Sequence, residues 1–133
     1  MKARTSELIA KPYRAVHRDI RAGQHREYWL AGGRGSGKSS FVSLEILLGL
    51  VRDRNANAIV YRKTAATLRE SVMEQMLWAA EALGIGAYFR MRAQQAEMEY
   101  LPTGQRILFR GASEPGKSKS IKLAKGYFRY LWF

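Results

Sequence analysis

Residues 32 to 39 read GGRGSGKS and match the pattern G-x-x-x-x-G-K-[ST] of loops that bind nucleoside triphosphates. Glycines in such a loop take positive φ angles and bring backbone N–H groups against phosphate oxygens without a clash from Cβ. The lysine of the pattern meets the β- and γ-phosphates, and the hydroxyl after it ligates Mg²⁺. The pattern therefore predicts a site for ATP and Mg²⁺. The residues expected to contact them are Gly32, Gly33, Arg34, Gly35, Ser36, Gly37, Lys38, Ser39 and Ser40, with Ser39 as the Mg²⁺ ligand.

Two basic side chains of this loop are the candidate catalytic residues. Lys38 is the lysine that the pattern directs at the phosphates. Arg34 stands inside the loop, where its planar guanidinium could contact the γ-phosphate or stabilise charge that develops there. The alternative for Arg34 is a solvated loop arginine without a role in the chemistry.

The elements on both sides of the loop decide whether the pattern is meaningful. Glu27–Ala31 is a short apolar run, which predicts a buried strand that feeds the loop. Ser39–Arg54 is rich in apolar residues and predicts a mostly buried helix, which Asn55 ends. A helix in that place directs its N-terminal dipole and free N–H groups at the anion. A glycine-rich turn that matches by chance is the alternative, and the predicted strand and helix argue against it.

The rest of the chain alternates predicted strands and helices, which indicates an α/β fold with a mainly parallel sheet flanked by helices. An antiparallel hairpin is inserted in it, with a turn built on Pro102 and Gly104. The other predicted elements are helix Ala15–Arg21, strand Ala58–Tyr61, helix Thr67–Leu83, the hairpin strands Glu97–Leu101 and Arg106–Phe109, a short basic helix around Ser118–Ala124 and a central strand Tyr127–Phe133.

Composition narrows the classes of function. The chain of 133 residues is long enough for one domain, and its lack of cysteine excludes disulfides and thiolate chemistry. His17 and His25 are its two histidines, and we assign His17 no catalytic role. No signal peptide or membrane-spanning run is visible, so we expect a soluble cytoplasmic protein. The net charge of +12 favours a polyanionic partner such as nucleic acid. The stretch Arg106–Phe133, with seven basic residues and one acid, suggests the same partner, and the equal alternative is a face that a missing acidic segment covers.

Three sequence blocks together resemble a known family. GGRGSGKSS is followed by AIVYRKTAATLRESVMEQM and then by EMEYLPTGQRILFRGASEPGKSKSIK. In this order and spacing they are similar to the large terminase subunit of tailed bacteriophages, over about Tyr28–Phe133. The resemblance implies a P-loop ATPase domain of the additional-strand class, followed by an RNase H-like nuclease domain. It also implies a homo-oligomeric ring on the portal that translocates double-stranded DNA into a procapsid, together with a small terminase subunit, in the infected bacterial cell.

The resemblance also assigns residues. The family's loop arginine falls on Arg34, its lysine on Lys38 and its Mg²⁺-ligating hydroxyl on Ser39. The segment before the first strand, residues 1–26, is expected to lie on the adenine side, with Tyr13 or its neighbours as contacts. Residues 27–133 would then form a partial ATPase domain.

The chain also departs from this family. YFRYLWF resembles the strand that precedes the family's catalytic acids, and these acids and the nuclease domain would lie beyond Phe133. Lys125-Gly126 stands where many members carry a trans-acting Arg-Gly, which makes such a role doubtful here. We therefore expect a fragment that is incomplete at its C-terminus and inactive as an ATPase on its own. The rival interpretations are another P-loop motor such as a helicase, and an inactive nucleotide- or DNA-binding remnant.

Several other side chains have ordinary interpretations. Arg62, Lys63 and Arg69 surround the start of the second long helix and are expected to be solvated charges, although contact with DNA or a neighbouring subunit's nucleotide is the alternative. Trp78, Met73 and Met76 are expected in the core.

Overall fold

The computed structural model describes residues 8–30, 37–62, 71–111 and 125–133 of the chain. In this part of the chain, helix α1 spans Arg14–Ala22, α2 spans Lys38–Arg52 and α3 spans Met73–Ala82. Helix α1 follows a 3-10 turn at Lys11–Tyr13 and ends at Gly23, whose φ of 69° is the left-handed conformation that suits a helix C-terminus. The predicted helices are confirmed where the structure describes them. The basic helix predicted at 118–124 and the first residues of the helix predicted at Thr67 lie outside the described ranges.

Five described strands form one sheet, in the order β2-β3-β4-β1-β5. The central strand β1 runs parallel to β4 and to β5, whereas β3 is antiparallel to both β2 and β4. Among the described strands the sheet is thus mixed, with two parallel and two antiparallel pairings, rather than mainly parallel as the sequence predicts. The strands are β1 Ala56–Arg62, β2 Phe89–Arg92, β3 Glu97–Tyr100, β4 Gln105–Gly111 and β5 Tyr127–Trp132.

The hairpin of β3 and β4 and the strand β1 are confirmed, but β2 was not predicted. Its sequence, FRMR, is short and alternates apolar with basic residues. The turn at Gly104, with φ of 79°, brings Tyr100 opposite Gln105. On the other edge of β3, its backbone forms hydrogen bonds with β2, and Phe89 lies opposite Tyr100. The predicted two-stranded insertion is therefore a three-stranded antiparallel unit.

Helices α2 and α3 cover one face of the sheet and form the main core with it. The periodicity of α2 places Leu44, Leu47 and Leu50 on the side that is fully buried. Alternate residues of β1 and β4 meet them, since side chains two apart in a strand share a face. Met76 of α3 is fully buried in the same cluster. The prediction for Met73 and Met76 is confirmed, but Trp78 on the opposite side of α3 is 45% exposed and is not a core residue.

Two predicted strands differ from the structure. Residues 27–30 form no strand, and Trp29 is 91% exposed. This segment is attached to α1 instead, because the Tyr28 hydroxyl donates to Asp19 over 2.6 Å and His25 Nδ1 lies 2.7 Å from the same carboxylate. Strand β5 exists as predicted, but it lies at the edge of the described sheet rather than in its centre. Its outward residues are accordingly exposed, as Leu131 shows.

No helix in the described part of the chain is both long enough and apolar enough to span a bilayer.

Candidate functional site

Helix α2 begins at Lys38, directly after a residue in the left-handed conformation. Gly37 has φ of 82°, and its carbonyl accepts the first helical hydrogen bond, from Phe41 N–H over 3.0 Å. A Cβ at Gly37 would meet only Tyr13 at an ordinary contact distance of 3.7 Å, so the backbone angle rather than the space selects glycine here. The next N–H groups belong to the first turn, where a helix has no acceptor of its own for them.

The end of the predicted loop is thus a helix N-terminus, as the sequence predicts. Lys38 and Ser40 are half-buried and Ser39 is exposed, so the Ser39 hydroxyl is open to a ligand. Gly32, Gly33, Arg34, Gly35 and Ser36 lie outside the described residues. The roles assigned to all nine residues of the loop stay predictions.

The topology determines where this helix start lies. Helix α2 ends at Arg52 and β1 begins at Ala56, so the helix runs back along the sheet, antiparallel to β1. Its 15 residues span roughly 22 Å, about the length of β1, so Lys38 lies at the edge where β1, β4 and β5 end. We call this the carboxyl edge, and the opposite one, where these strands begin, the amino edge. Ligands of parallel α/β sheets bind at the carboxyl ends of the strands.

Helix α3 also begins at the carboxyl edge. Gln75 in its first turn lies with Nε2 3.5 Å from the Ser40 hydroxyl oxygen. No pattern in the sequence predicts this contact, because the two residues are 35 positions apart. It places an amide side chain beside the first turn of α2.

The residues before the loop pack on the first half of α2. Tyr13 stacks on Phe41 with ring centroids 4.8 Å apart and an interplanar angle of 9°, in a small cluster with Ile9. Tyr13 therefore lies beside Gly37, at the start of the predicted site. Contact of Tyr13 with an adenine base stays a prediction.

A buried hydrogen-bonded pair, His17 with Glu45, joins the same two segments and was not predicted. His17 Nδ1 lies 2.7 Å from Glu45 Oε1, and the Glu45 side chain is only 8% exposed. Burial raises the pKa of Glu45, while the hydrogen bond and charge of His17 act in the other direction. The sequence feature that points to this pair is Glu45 itself, an acidic residue within the otherwise apolar middle of α2. We see no catalytic role for the pair, which attaches α1 to α2.

Arg62 corrects the prediction of a solvated charge. It is the last residue of β1, half-buried, with its guanidinium carbon 4.4 Å from the centre of the Trp132 ring. Lys63 and Arg69 lie outside the described residues. Arg62 therefore belongs to the carboxyl edge, together with Lys38.

The described residues contain no group of three or more His, Asp or Glu that could hold a metal ion. Most of the acidic residues there already have a hydrogen-bond or ion-pair partner. The pairs are Asp19 with Tyr28, Glu45 with His17, Asp53 with Tyr127, Glu97 with Arg106, and Glu99 with Arg92.

Comparison with known proteins agrees with the sequence blocks. Residues 24–133 match the family model described as phage terminase large subunit. The chain is 34% identical over 131 residues to the "Terminase, large subunit" of Bacillus phage SPP1, which covers 98% of this chain and 31% of the relative. It is 31% identical over 93 residues to the "PBSX phage terminase large subunit" of Bacillus subtilis (strain 168), covering 70% of this chain and 21% of that protein. The chain spans about a third of the length of the first relative.

Proposed function

We infer the function of this chain from one premise: it belongs to the phage terminase large subunit family. It is a component of a phage DNA-packaging motor. We propose that it forms the ATP-binding part, and that ATP hydrolysis in the longer protein drives double-stranded DNA into the procapsid. Family membership disfavours the rival interpretation as a helicase.

The observation that carries this proposal is the start of α2. A left-handed Gly37, then Lys38 and Ser39 in the first helical turn, lie at the carboxyl edge of a sheet with parallel strands. The first-turn N–H groups and the helix dipole favour an anion there. Lys38 adds a point charge for the β- and γ-phosphates, and Arg34 is the candidate for charge that develops on the γ-phosphate.

The residues present fit Mg²⁺·ATP. The exposed Ser39 hydroxyl is a hard oxygen ligand of the kind that Mg²⁺ accepts beside phosphate oxygens. Mg²⁺ held by the Ser39 hydroxyl would neutralise part of the charge of the phosphates. Lys38 would orient the phosphates, and Tyr13 with Phe41 would form a wall beside the loop.

Binding and turnover have different requirements, and we expect this chain to bind ATP without appreciable hydrolysis. Phosphoryl transfer needs a group that orients the attacking water, in addition to the positioned phosphates. Glu97 and Glu99 are held by arginines in the antiparallel unit, and Glu45 is buried against His17. Arginine cannot act as a base. Turnover at motor-like rates would favour a catalytic acid within the chain. Absence of both binding and turnover would favour a remnant that binds DNA and not nucleotide.

Isothermal titration with Mg²⁺·ATP tests the site through Lys38→Ala. Loss of a hydrogen bond to a charged group costs about 2 kcal/mol, so affinity should fall roughly 30-fold or more. Lys125→Ala is the matched control, because Lys125 is an exposed lysine at the amino edge. Equal affinity of the wild type and Lys38→Ala would refute the assignment.

The partners follow from the same proposal. Duplex DNA, the small terminase subunit and the portal of the procapsid would be contacted by the longer protein, which would act as a homo-oligomeric ring. The chain's net charge of +12 supports the nucleic-acid partner.

A further inference from the structure

Arg62 is a half-buried cation that no carboxylate in the described part of the chain neutralises. Its Nη1 donates to the carbonyl of the neighbouring Tyr61 over 3.1 Å, and its guanidinium lies over the Trp132 ring. Arginine carries five N–H donors in a fixed planar fork. Most of the donors of Arg62 therefore have no acceptor within the described part of the chain.

Two other half-buried arginines in the described ranges have carboxylate partners, and a third, Arg110, donates to the carbonyls of Ala96 and Phe109. Arg92 pairs with Glu99 at 2.7 Å, and Arg106 pairs with Glu97 at 3.2 Å. Arg62 has no such partner there, although burial lowers its pKa through desolvation. A cation taken out of water without an anion is costly, so an arginine held in this way indicates an anion that arrives from elsewhere.

The free donors of Arg62 are accessible to a ligand. In the described part of the chain, no side-chain nitrogen or oxygen that is fully buried lacks a hydrogen-bond partner. The unbonded N–H groups of Arg62 must therefore retain contact with solvent. A guanidinium that lies on an aromatic ring and keeps its fork accessible is suited to bidentate contact with phosphate.

The position of Arg62 in the sheet indicates which anion it would bind. Val60 belongs to the core under α2 and α3, and Arg62, two residues later, lies on the same face of β1. Trp132 packs against the same core. Arg62 therefore shares both the sheet face and the carboxyl edge with Lys38 at the start of α2.

We propose that Arg62 is a phosphate-contacting residue of the nucleotide site, whose guanidinium, held on Trp132, donates to the terminal phosphate of ATP bound at Lys38. This inference rests on the proposed function of the loop. Because ADP lacks the γ-phosphate, Arg62 would make the site prefer ATP over ADP. The loop and Lys38 would bind the rest of the nucleotide.

Isothermal titration with a non-hydrolysable ATP analogue and with ADP, both with Mg²⁺, tests the proposal on the 133-residue chain. Arg62→Met keeps an unbranched apolar side chain that can pack beside Trp132 but removes the guanidinium and its donors. Affinity for the ATP analogue should fall about tenfold or more, and affinity for ADP should change less than twofold. Arg62→Lys should lie between, since it keeps the charge without the fork. Arg54→Met, an exposed arginine at the amino edge, should leave both affinities unchanged.

The outcomes separate this inference from the one on which it rests. If the wild type binds both nucleotides and Lys38→Ala weakens both, but Arg62→Met keeps the ratio of the two affinities, Arg62 does not contact the γ-phosphate. An unchanged ratio with a lowered unfolding temperature of Arg62→Met would mean that Arg62 stabilises the fold rather than binding the nucleotide, which also overturns the proposal. If the wild type binds neither nucleotide, the proposed function fails together with this inference.

Discussion

The two edges of the sheet use polar groups in opposite ways. At the amino edge, the buried polar side chains bond to the protein itself. At the carboxyl edge, the first-turn N–H groups of α2 and the fork of Arg62 point to acceptors that the described fold does not supply. Both edges contain buried polar groups and charged residues, so burial and charge alone do not identify the edge that binds a ligand. What distinguishes the carboxyl edge is that polar groups which are partly buried there have hydrogen-bond donors without an acceptor in the described part of the protein.

At the amino edge, two buried polar side chains use their hydrogen bonds to join helices and strands to one another. Gln105 Nε2 lies 2.9 Å from the carbonyl oxygen of Leu50, 2.7 Å from that of Asp53 and 2.6 Å from that of Ala56. It thereby fastens the start of β4 to the end of α2 and the start of β1. Asn57 joins β1 to its neighbours in the same way, donating to Tyr127 O over 3.2 Å and accepting from Arg106 N–H over 2.8 Å. Such groups are satisfied and have no capacity for a ligand.

The largest expected effect is that of Gly126→Ala at the amino edge. Gly126 has φ of 77°, and a Cβ there would lie 2.1 Å from the Asn55 carbonyl oxygen, which also accepts the Tyr127 N–H bond. Backbone must move before alanine fits, so the free energy of unfolding should fall by about 3 kcal/mol or more. Urea unfolding measures this loss. The affinity of the folded variant for Mg²⁺·ATP should change less than twofold, because the damage is confined to the amino edge.

Gly104→Ala is the control for Gly126→Ala. Gly104 also has a positive φ, 79°, but a Cβ there would meet nothing within 4 Å. It should cost only the left-handed strain of about 1–2 kcal/mol. Equal losses in the two variants would show that the close approach to Asn55 is unimportant. A large loss of nucleotide affinity in Gly126→Ala would show that the two edges are not independent.

A smaller effect is expected for the exposed charges of the amino edge. Arg54 and Lys125 line a shallow pocket with Asn55, Pro102 and Thr103, and neither forms an ion pair within the described residues. If duplex DNA contacts this edge through phosphates, each alanine substitution should reduce the salt dependence of binding by about one unit of slope. The double variant should bind about tenfold more weakly at low salt, as titration of labelled DNA would measure.

Arg90→Ala is the matched control for the DNA prediction, because Arg90 is an exposed arginine of β2 outside the pocket. It should change the slope by less than half a unit. An unchanged slope in the double variant would place the DNA contact elsewhere. The charge-rich stretch that suggested DNA is partly structural, since Arg106 pairs with Glu97, Arg129 pairs with Asp53 and Arg110 donates to backbone carbonyls.

Local features of the fold could be predicted from the sequence. The helical periodicity of Ser39–Arg54 agrees with α2, and the Pro-Thr-Gly-Gln turn agrees with the hairpin of β3 and β4. The helix start after the glycines also follows from local chemistry, because a positive φ at Gly37 needs no distant contact. In such segments the residues that determine the structure lie within a few positions of one another.

Features that depend on distant pairing could not be predicted. The apolar run at 27–31 resembles a strand, but at residues 27–30 contacts with Asp19 replaced sheet pairing. Strand β5 lies at the edge of the described sheet because it pairs with β1 alone. The apolar sequence of β5 does not indicate how many strands will pair with it. The pair of His17 with Glu45 and the stacking of Arg62 on Trp132 join residues 28 and 70 positions apart. No spacing rule connects them.

The smallest expected effect concerns the pH dependence of the amino edge. The Asp53 carboxylate accepts hydrogen bonds from the Tyr127 hydroxyl and from Asn55 N–H, and it pairs with Arg129; these contacts lower its pKa below the ordinary 3.8. A lowered pKa in the folded state means that the contribution to stability is present above pH 3.8 and is lost as the pH falls through the folded pKa. For a partly exposed pair, the contribution should be below about 1 kcal/mol.

Comparison of the wild type with Asp53→Asn isolates this contribution. Glu45 acts in the opposite direction in a nearby pH range, because burial raises its pKa above 4.5 and its contribution is lost as the pH rises through the folded pKa. The stability of the wild type alone therefore mixes two slopes, whereas its difference from Asp53→Asn cancels that of Glu45. We expect this difference, measured by urea unfolding, to be constant from pH 7 to 5 and to shrink from pH 4 to 2.5. Tyr127→Phe should remove part of it, since the hydroxyl contributes most to the lowered pKa. A difference that does not vary with pH would mean that Asp53 titrates alike in the folded and unfolded chains, and the amino edge would then lack the satisfied carboxylate that distinguishes it from the carboxyl edge.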